Sequence, residues 1–217
     1  MTSSDGLADE LVSRLLEGNE EVLADLFSAH RDRLWRMVNF RLDRRLAGRV
    51  DADDILQEAY LAASQRIRHY LENPSQSFFV WLRLITRQTL VDVHRRHLGA
   101  KMRNAGRETA NRPGYPMATS ISLVAQLLGS MTSPSQAAVK AEMTRQLEVA
   151  IEEMDPIDRE VLALRHFEEL TNSEVAEWLD IQQKAASIRY VRAVSRLKDI
   201  LARVPGFFDS QEPKSHE

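Results

Sequence analysis

Two arginine-rich stretches carry the side chains that could bind a polyanion. Residues 83–107 hold seven cations against one acid, and residues 181–203 hold six cations against one acid. Acidic stretches lie N-terminal to each of them: residues 1–29 hold seven acids against one arginine, and residues 142–180 hold twelve acids against three arginines. Guanidinium and ammonium groups pair with phosphate oxygens, so the pattern favours two separate nucleic-acid-binding surfaces. Two solvated helix faces would account for the same charges.

Catalytic and metal chemistry find little support in the sequence. The 217 residues include no cysteine, which excludes disulfides, zinc–thiolate sites, iron–sulfur clusters and a cysteine nucleophile. His94 and His97 could share a metal from one helix, but they flank two arginines and lack a third ligand nearby. Asp53 and Asp54 are adjacent and point in different directions, which makes a poor acid–base pair. We therefore predict no enzyme activity, no cofactor and no bound metal.

Segments for export or membrane insertion are also not apparent. The longest apolar runs, such as residues 121–128, are interrupted by polar residues and are too short to span a bilayer. The first residues are acidic and lack a basic-then-apolar signal pattern. We expect a cytoplasmic protein, and the 43% of hydrophobic residues is enough to build a core.

Apolar residues recur at helical spacing along most of the chain, which predicts an all-α fold. Capping residues mark helix starts at Asp51, at Asp155 followed by Pro156, and at Thr171. Residues 100–136 break this periodicity, apart from a short helical possibility at 121–128, and are too long for a loop within one compact domain. We therefore predict two small helical domains joined by a flexible linker. The predicted segments are an acidic helical extension at 1–19, a first domain at 20–100, a linker at 101–137, a second domain at 138–204 and a tail at 205–217.

Residues 171–197 have the form of a helix-turn-helix. Thr171 and Glu174 match a capping box at the start of the first helix, and Ile181 fills the turn. The pattern predicts that the second helix packs Ala185, Ile188 and Val191 inward. Its outward face would present side chains that reach base edges or phosphates in the major groove, which favours DNA binding over an ordinary helical hairpin. These residues are Gln182, Gln183, Lys184, Ser187, Arg189 and Arg192.

The N-terminal domain carries a D-x-x-Q-E pattern at Asp54, Gln57 and Glu58 and an aromatic-W-L pattern through Trp81 and Leu82. These motifs resemble region two of a bacterial extracytoplasmic-function (ECF) RNA polymerase sigma factor. The helix-turn-helix, with the segment before it, resembles region four of the same family. The resemblance covers roughly residues 20–100 and 140–203. It departs from the family at Asp180, where glycine is usual, at Gln88, where Asn is frequent, and in a longer linker.

The resemblance implies a sigma factor that binds core RNA polymerase, recognises two promoter elements and promotes strand opening. The family's D-x-x-Q-E helix docks on the β′ clamp helices, which assigns core binding to Asp54, Gln57 and Glu58. The β flap of the polymerase, promoter DNA and an anti-sigma factor are further partners that the resemblance brings in. The residues assigned to the minus-ten element are Asn73, Ser75, Phe79, Arg83, Arg87, Gln88, Asp92, Arg95 and Arg96. Those assigned to the minus-thirty-five element are Thr171, Gln182, Gln183, Lys184, Ser187, Arg189 and Arg192.

Two other kinds of protein remain open at this point. A helix-turn-helix transcriptional regulator would bind duplex DNA without being a polymerase subunit, and it would leave the D-x-x-Q-E stripe without a role. A helical adaptor that binds only proteins is disfavoured by the two basic stretches. Co-purification with core polymerase separates the three hypotheses.

Overall fold

The computed structural model describes residues 10–15, 17, 20–46, 48–98, 120–128 and 137–204. All secondary structure in these residues is helical, which confirms the predicted all-α class. The chain divides into two compact units, Met1–Pro116 and Met117–Glu217, as the two-domain prediction requires. None of the helices in the described residues is long and apolar enough to cross a membrane.

The first unit is built from three long helices, each of which packs against the other two. They are α1 (Leu23–Arg41), α2 (Ala52–Glu72) and α3 (Phe78–Leu98). Short 3₁₀ turns at Glu20–Val22 and Arg44–Leu46 flank α1. Apolar residues at helical spacing meet in the centre, where Leu26, Leu34, Ile55, Ala63 and Leu82 are fully buried.

The ends of α2 follow from the sequence. Asp51 Oδ1 accepts a hydrogen bond from the Asp54 N–H (2.9 Å), and Asp54 Oδ2 accepts one from the Asp51 N–H (3.1 Å). This reciprocal capping satisfies two donors that the first turn of a helix leaves without partners. At the other end, Pro74 stands two residues after Glu72 and cannot continue the helix. The Tyr70 hydroxyl donates to the Gln76 carbonyl oxygen (3.0 Å) and ties the following loop to α2.

In the second unit, the described residues form five α-helices. They are α4 (Ser120–Leu127), α5 (Ala137–Glu152), α6 (Pro156–Leu162), α7 (Asn172–Leu179) and α8 (Gln183–Arg203), with a π-helical segment at Ala163–Phe167 after α6. Asp155 caps α6 through the Ile157 N–H (2.8 Å), with Pro156 at the first helical position as predicted. Helix α4 packs against α5. It falls at the short helical possibility that the sequence offers at 121–128 within the predicted linker, 101–137. The rest of that predicted linker, apart from residues 128 and 137, lies outside the described residues.

Candidate protein and nucleic-acid interfaces

The residues of the D-x-x-Q-E pattern lie together on α2. Asp54, Gln57 and Glu58 are exposed, whereas Ile55 and Ala59 on the opposite side of the helix are fully buried. The exposed face is thus available to a partner, as the pattern predicts. Asp54 also serves the fold, because its carboxylate completes the cap at the start of α2. This second role of Asp54 was not predicted from the sequence.

Glu58 connects this stripe to the predicted DNA-binding residues. Arg96 Nη2 on α3 lies 2.5 Å from Glu58 Oε2, and the two side chains are 53% and 46% exposed. An ion pair with this much solvent contact is worth roughly 0–1 kcal/mol. It holds Arg96 in place, but a strong competitor for either charge can break it.

A polar cleft of about 370 Å³ opens beside this pair, between α2 and α3. Its lining is Glu58, Ala62, Arg66, Gln88, Thr89, Asp92, Arg95 and Arg96. Arg66 Nη1 donates to Gln88 Oε1 (2.6 Å), and Arg95 pairs with Asp92 (2.8 Å). The structure thus brings four of the predicted residues, Gln88, Asp92, Arg95 and Arg96, into one cleft. Arg66 was missed, although it follows Glu58 and Ala62 at four-residue spacing on one face of α2.

Three residues assigned to the minus-ten element are not on the surface. Phe79, Arg83 and Arg87 are only 5%, 1% and 8% exposed, so their placement on an accessible DNA-binding face is wrong. The reason is that α3 packs against both α1 and α2, and thirteen of its 21 residues are buried. Phe79 instead lies under the Arg33 guanidinium, 3.6 Å from the ring centre. Phe78 and Trp81, on the same helix, are also buried.

The loop after α2 presents the remaining predicted residues of the first unit. Asn73 and Ser75 are exposed, and the Asn73 N–H closes the end of α2 by donating to the Tyr70 carbonyl oxygen (3.2 Å). Tyr70 also packs its ring against Trp81, with 4.7 Å between centroids. The loop is accessible. Tyr70 holds its two ends, because its carbonyl oxygen accepts from the Asn73 N–H and its hydroxyl donates to the Gln76 carbonyl oxygen.

His94, a rejected metal candidate, has a structural contact. Its Nε2 accepts a hydrogen bond from the Asp43 N–H (3.2 Å), which requires that nitrogen to be unprotonated. Burial lowers the pKa of His94 below its ordinary value of 6.5, and Arg45 acts in the same direction, while the Asp43 carboxylate opposes them. No group of three or more potential metal-binding side chains occurs in the described parts of the chain.

The helix-turn-helix of the second unit forms as predicted. The Glu174 N–H donates to Thr171 Oγ1 (3.2 Å), and the Thr171 N–H donates to Glu174 Oε2 (2.7 Å). Asp180 adopts the left-handed conformation, with φ 53° and ψ 50°, at the position where it replaces glycine. The Asn172 side chain donates to the Gln183 carbonyl oxygen (2.9 Å), so the start of α7 is joined directly to the start of α8.

The rotation of α8 differs from the prediction. Ala186, Ala193 and Ile200 are buried, whereas Ile188 and Val191 are 49% and 68% exposed. The predicted inward set of Ala185, Ile188 and Val191 is therefore wrong. Helix α8 packs against α6 as well as α7, and the small side chains at 186 and 193 allow this close approach.

Most of the residues assigned to the minus-thirty-five element are accessible on this rotated helix. Thr171, Gln182, Gln183, Lys184, Ser187 and Arg192 are exposed. Arg189 is the exception: its side chain is 31% exposed and lies 3.0 Å from Asp158 Oδ1, which is itself only 11% exposed. The assignment of Arg189 to the outward face is therefore wrong, because the arginine neutralises a nearly buried carboxylate.

Comparisons with known proteins agree with this division. Residues 26–98 match the family model for Sigma-70 region 2, and residues 150–199 match the model for Sigma-70 region 4. The chain is 24% identical over 188 residues to the ECF RNA polymerase sigma factor SigW of Bacillus subtilis, covering 86% of this chain and 92% of that protein. It is 25% identical over 199 residues to the ECF sigma factor SigD of Mycobacterium tuberculosis, covering 92% and 86%. A solved structure of CnrH in complex with the cytosolic domain of CnrY aligns over 88% of this chain and 95% of its own, with 18% identity and a TM-score of 0.48.

Proposed function

Because the chain belongs to the ECF family of RNA polymerase sigma factors, we propose that its two units divide the promoter between them. Proteins of this family are transcription initiation factors that bind core RNA polymerase and promoter DNA. In our proposal, the exposed stripe of Asp54, Gln57 and Glu58 docks on the β′ clamp helices. The loop with Asn73 and Ser75 and the cleft between α2 and α3 bind the minus-ten element. The protein acts in the cytoplasm, together with the polymerase.

The outward face of α8 is proposed to read the minus-thirty-five element. The observation that carries this proposal is the exposure of Gln183, Lys184 and Ser187 in the first part of α8, after the turn that joins it to α7. Amide and hydroxyl groups at the start of such a helix can bond to base edges, while Lys184 and Arg192 can bind bases or phosphates. Thr171 lies exposed at the start of α7, and we assign it to the same element.

The cleft in the first unit suits the chemistry of strand opening. A base taken out of the duplex needs hydrogen bonds to its pairing edge, and its phosphates need cations. Gln88 offers an amide at the cleft, and Arg66, Arg95 and Arg96 surround it. Phe79, Arg83 and Arg87 are buried in α3. Direct contact of these side chains with DNA would therefore require a conformation other than this one.

Transcription in vitro from a library of genomic fragments tests the proposal. Core polymerase with this protein should start transcripts downstream of a shared two-part sequence, and thymines in the downstream part should become reactive to permanganate as the strands open. Core polymerase without the protein is the control. Specific binding of the protein alone to duplex DNA, with no dependence on core polymerase, would instead indicate a helix-turn-helix regulator.

A further inference from the structure

Exposed apolar side chains concentrate on α8. Six large hydrophobic residues are exposed in the described parts of the chain, and three of them, Ile188, Val191 and Val194, lie within seven residues on this one helix. Single exposed apolar residues are common on protein surfaces, but a cluster indicates a surface that a partner covers. Isoleucine and valine also have stiff side chains, so they lose little freedom when a partner binds.

The position of two of these residues points to the partner. Lys184, Ile188 and Val191 follow each other at spacings of four and three residues, which places them on one stripe of α8. The stripe faces away from buried Ala186 and Ala193. It begins in the first turn of the helix, where a recognition helix meets the major groove. The part of the helix from residue 183 to residue 198 carries five cations and no acid. Four of these cations are exposed, and the fifth, Arg189, is paired with Asp158, so the free charge of this segment favours a polyanion as the partner.

We propose that Ile188 and Val191 contact the C5-methyl groups of thymines in the upstream promoter element. Thymine is the one base that presents a methyl group in the major groove, and apolar side chains recognise it there. The two residues would therefore select for thymine, while Gln183, Lys184 and Ser187 bond to neighbouring base edges. This inference rests on the proposed function, because it requires α8 to enter the groove of the minus-thirty-five element.

Replacing single thymines by uracil tests the contact on the DNA side. Uracil pairs with adenine in the same way but lacks the methyl group. Loss of one buried methyl corresponds to about 0.8 kcal/mol, or about a fourfold loss of affinity. With the complex of core polymerase and this protein on a promoter that it transcribes, we expect such a loss at one or two thymines of the upstream element and none at the others.

The matching protein variants identify the residues. With Ile188→Ala, replacement of thymine by uracil should no longer weaken binding at one of the sensitive thymines. With Val191→Ala, the same should hold at the second sensitive thymine or at a thymine next to it. Val149→Ala is the matched control, because Val149 is 62% exposed on α5 of the same unit and should leave both effects unchanged. Thermal unfolding of each variant checks that the exposed substitutions leave the fold intact.

Several outcomes would overturn the inference without touching the proposed function. Core-dependent, specific binding with no sensitivity to uracil would do so, as would an upstream element that contains no thymine. If Ile188→Ala weakens association with core polymerase in the absence of DNA, the stripe binds a protein instead. Absence of any promoter-specific binding with core polymerase would count against the proposed function itself.

Discussion

At the scale of single residues, Arg189 and Arg192 show how position on a helix decides what a charge does. The two arginines are three residues apart on α8, and both belong to the basic stretch. Arg192 is exposed on the outward side, whereas Arg189 pairs with Asp158 at 3.0 Å in partly buried surroundings. Sequence patterns predicted the basic stretch but could not distinguish the two, because the partner of Arg189 lies 31 residues away.

Alanine substitutions should separate these roles. Arg192→Ala should weaken binding of the polymerase complex to the promoter by about 1–3 kcal/mol if Arg192 reads a guanine, or lower the salt slope by about one if it binds phosphate. Arg189→Ala should instead destabilise the fold by about 1–3 kcal/mol, since Asp158 loses its partner. Promoter titrations and thermal unfolding measure the two effects. Arg203→Ala removes the same charge from the far end of α8 and should change neither strongly.

His94 is expected to make the stability of the first unit depend on pH. Its pKa is lowered in the fold by burial, so the unfolded chain binds a proton more readily than the folded one. Stability should therefore be full above the ordinary value of 6.5 and fall as the pH drops below it. Protonation would also turn Nε2 into a donor facing the Asp43 N–H.

Unfolding curves at a series of pH values measure this dependence. His94→Gln keeps a hydrogen-bond acceptor without a titrating group, and it should flatten the loss of stability below about pH 6.5. His97→Gln, which removes an exposed histidine three residues away, is the matched control. An unaltered slope in the His94 variant would contradict the assignment.

At the scale of helices, local signals predicted where elements begin and end. Asp51, Asp155 and Thr171 cap helices as expected, because each cap depends only on residues two or three positions away. The rotation of α8 could not be predicted in the same way. Ile188 and Val191 are apolar at helical spacing, and the usual rule places such residues inside. The rule fails here because smaller alanines allow α8 to pack closely on α6 and α7, leaving the larger side chains outside.

Helix α3 shows the opposite failure. Arginines are usually exposed, so Arg83 and Arg87 were assigned to a DNA-binding face. Their burial follows from packing on two sides of α3, which depends on how α1 and α2 approach it. Charge patterns within one segment carry no information about that approach. Within α3, the accessible residues of the predicted site accordingly lie in the C-terminal half of the helix, at Gln88, Asp92, Arg95 and Arg96.

The stripe on α2 gives a prediction about the helix as a unit. Replacing Asp54, Gln57 and Glu58 together by Ala should weaken association with core polymerase. It should also destabilise the first unit by about 1 kcal/mol, since Asp54 is half of the cap. The matched control is Asp51→Ala, which opens the same cap from its other side but keeps all three stripe residues.

Competition for core polymerase and thermal unfolding separate the two effects. Asp51→Ala should lose stability and retain binding, and Gln57→Ala should weaken binding without loss of stability. Equal loss of binding in Asp51→Ala and in the triple variant would mean that the cap, and not the stripe, matters for docking.

At the scale of the whole molecule, the charges of the free protein partly neutralise each other. Arg96 pairs with Glu58, and Arg95 pairs with Asp92 at the edge of the predicted minus-ten cleft. Each pair is exposed and contributes roughly 0–1 kcal/mol, so a DNA phosphate can replace the carboxylate as the partner of the arginine. Breaking the pair lowers the affinity of the free protein for DNA. Docking of Glu58 on core polymerase would free Arg96 for DNA, which links the two proposed tasks of the first unit.

We therefore expect the free protein to bind promoter duplex weakly and the complex with core polymerase to bind it tightly. Each unit offers a small basic surface, and core polymerase raises the effective concentration of each unit at its own element once one is held. Mobility shifts on a matched promoter, with and without core polymerase, measure the difference.

Two variants test the contribution of the pair between Arg96 and Glu58. Arg96→Gln should reduce DNA binding by the complex. Glu58→Gln should strengthen DNA binding by the free protein by up to about fivefold, the equivalent of one exposed ion pair. Strong sequence-specific binding by the unaltered free protein would contradict this account and favour a regulator that works without the polymerase.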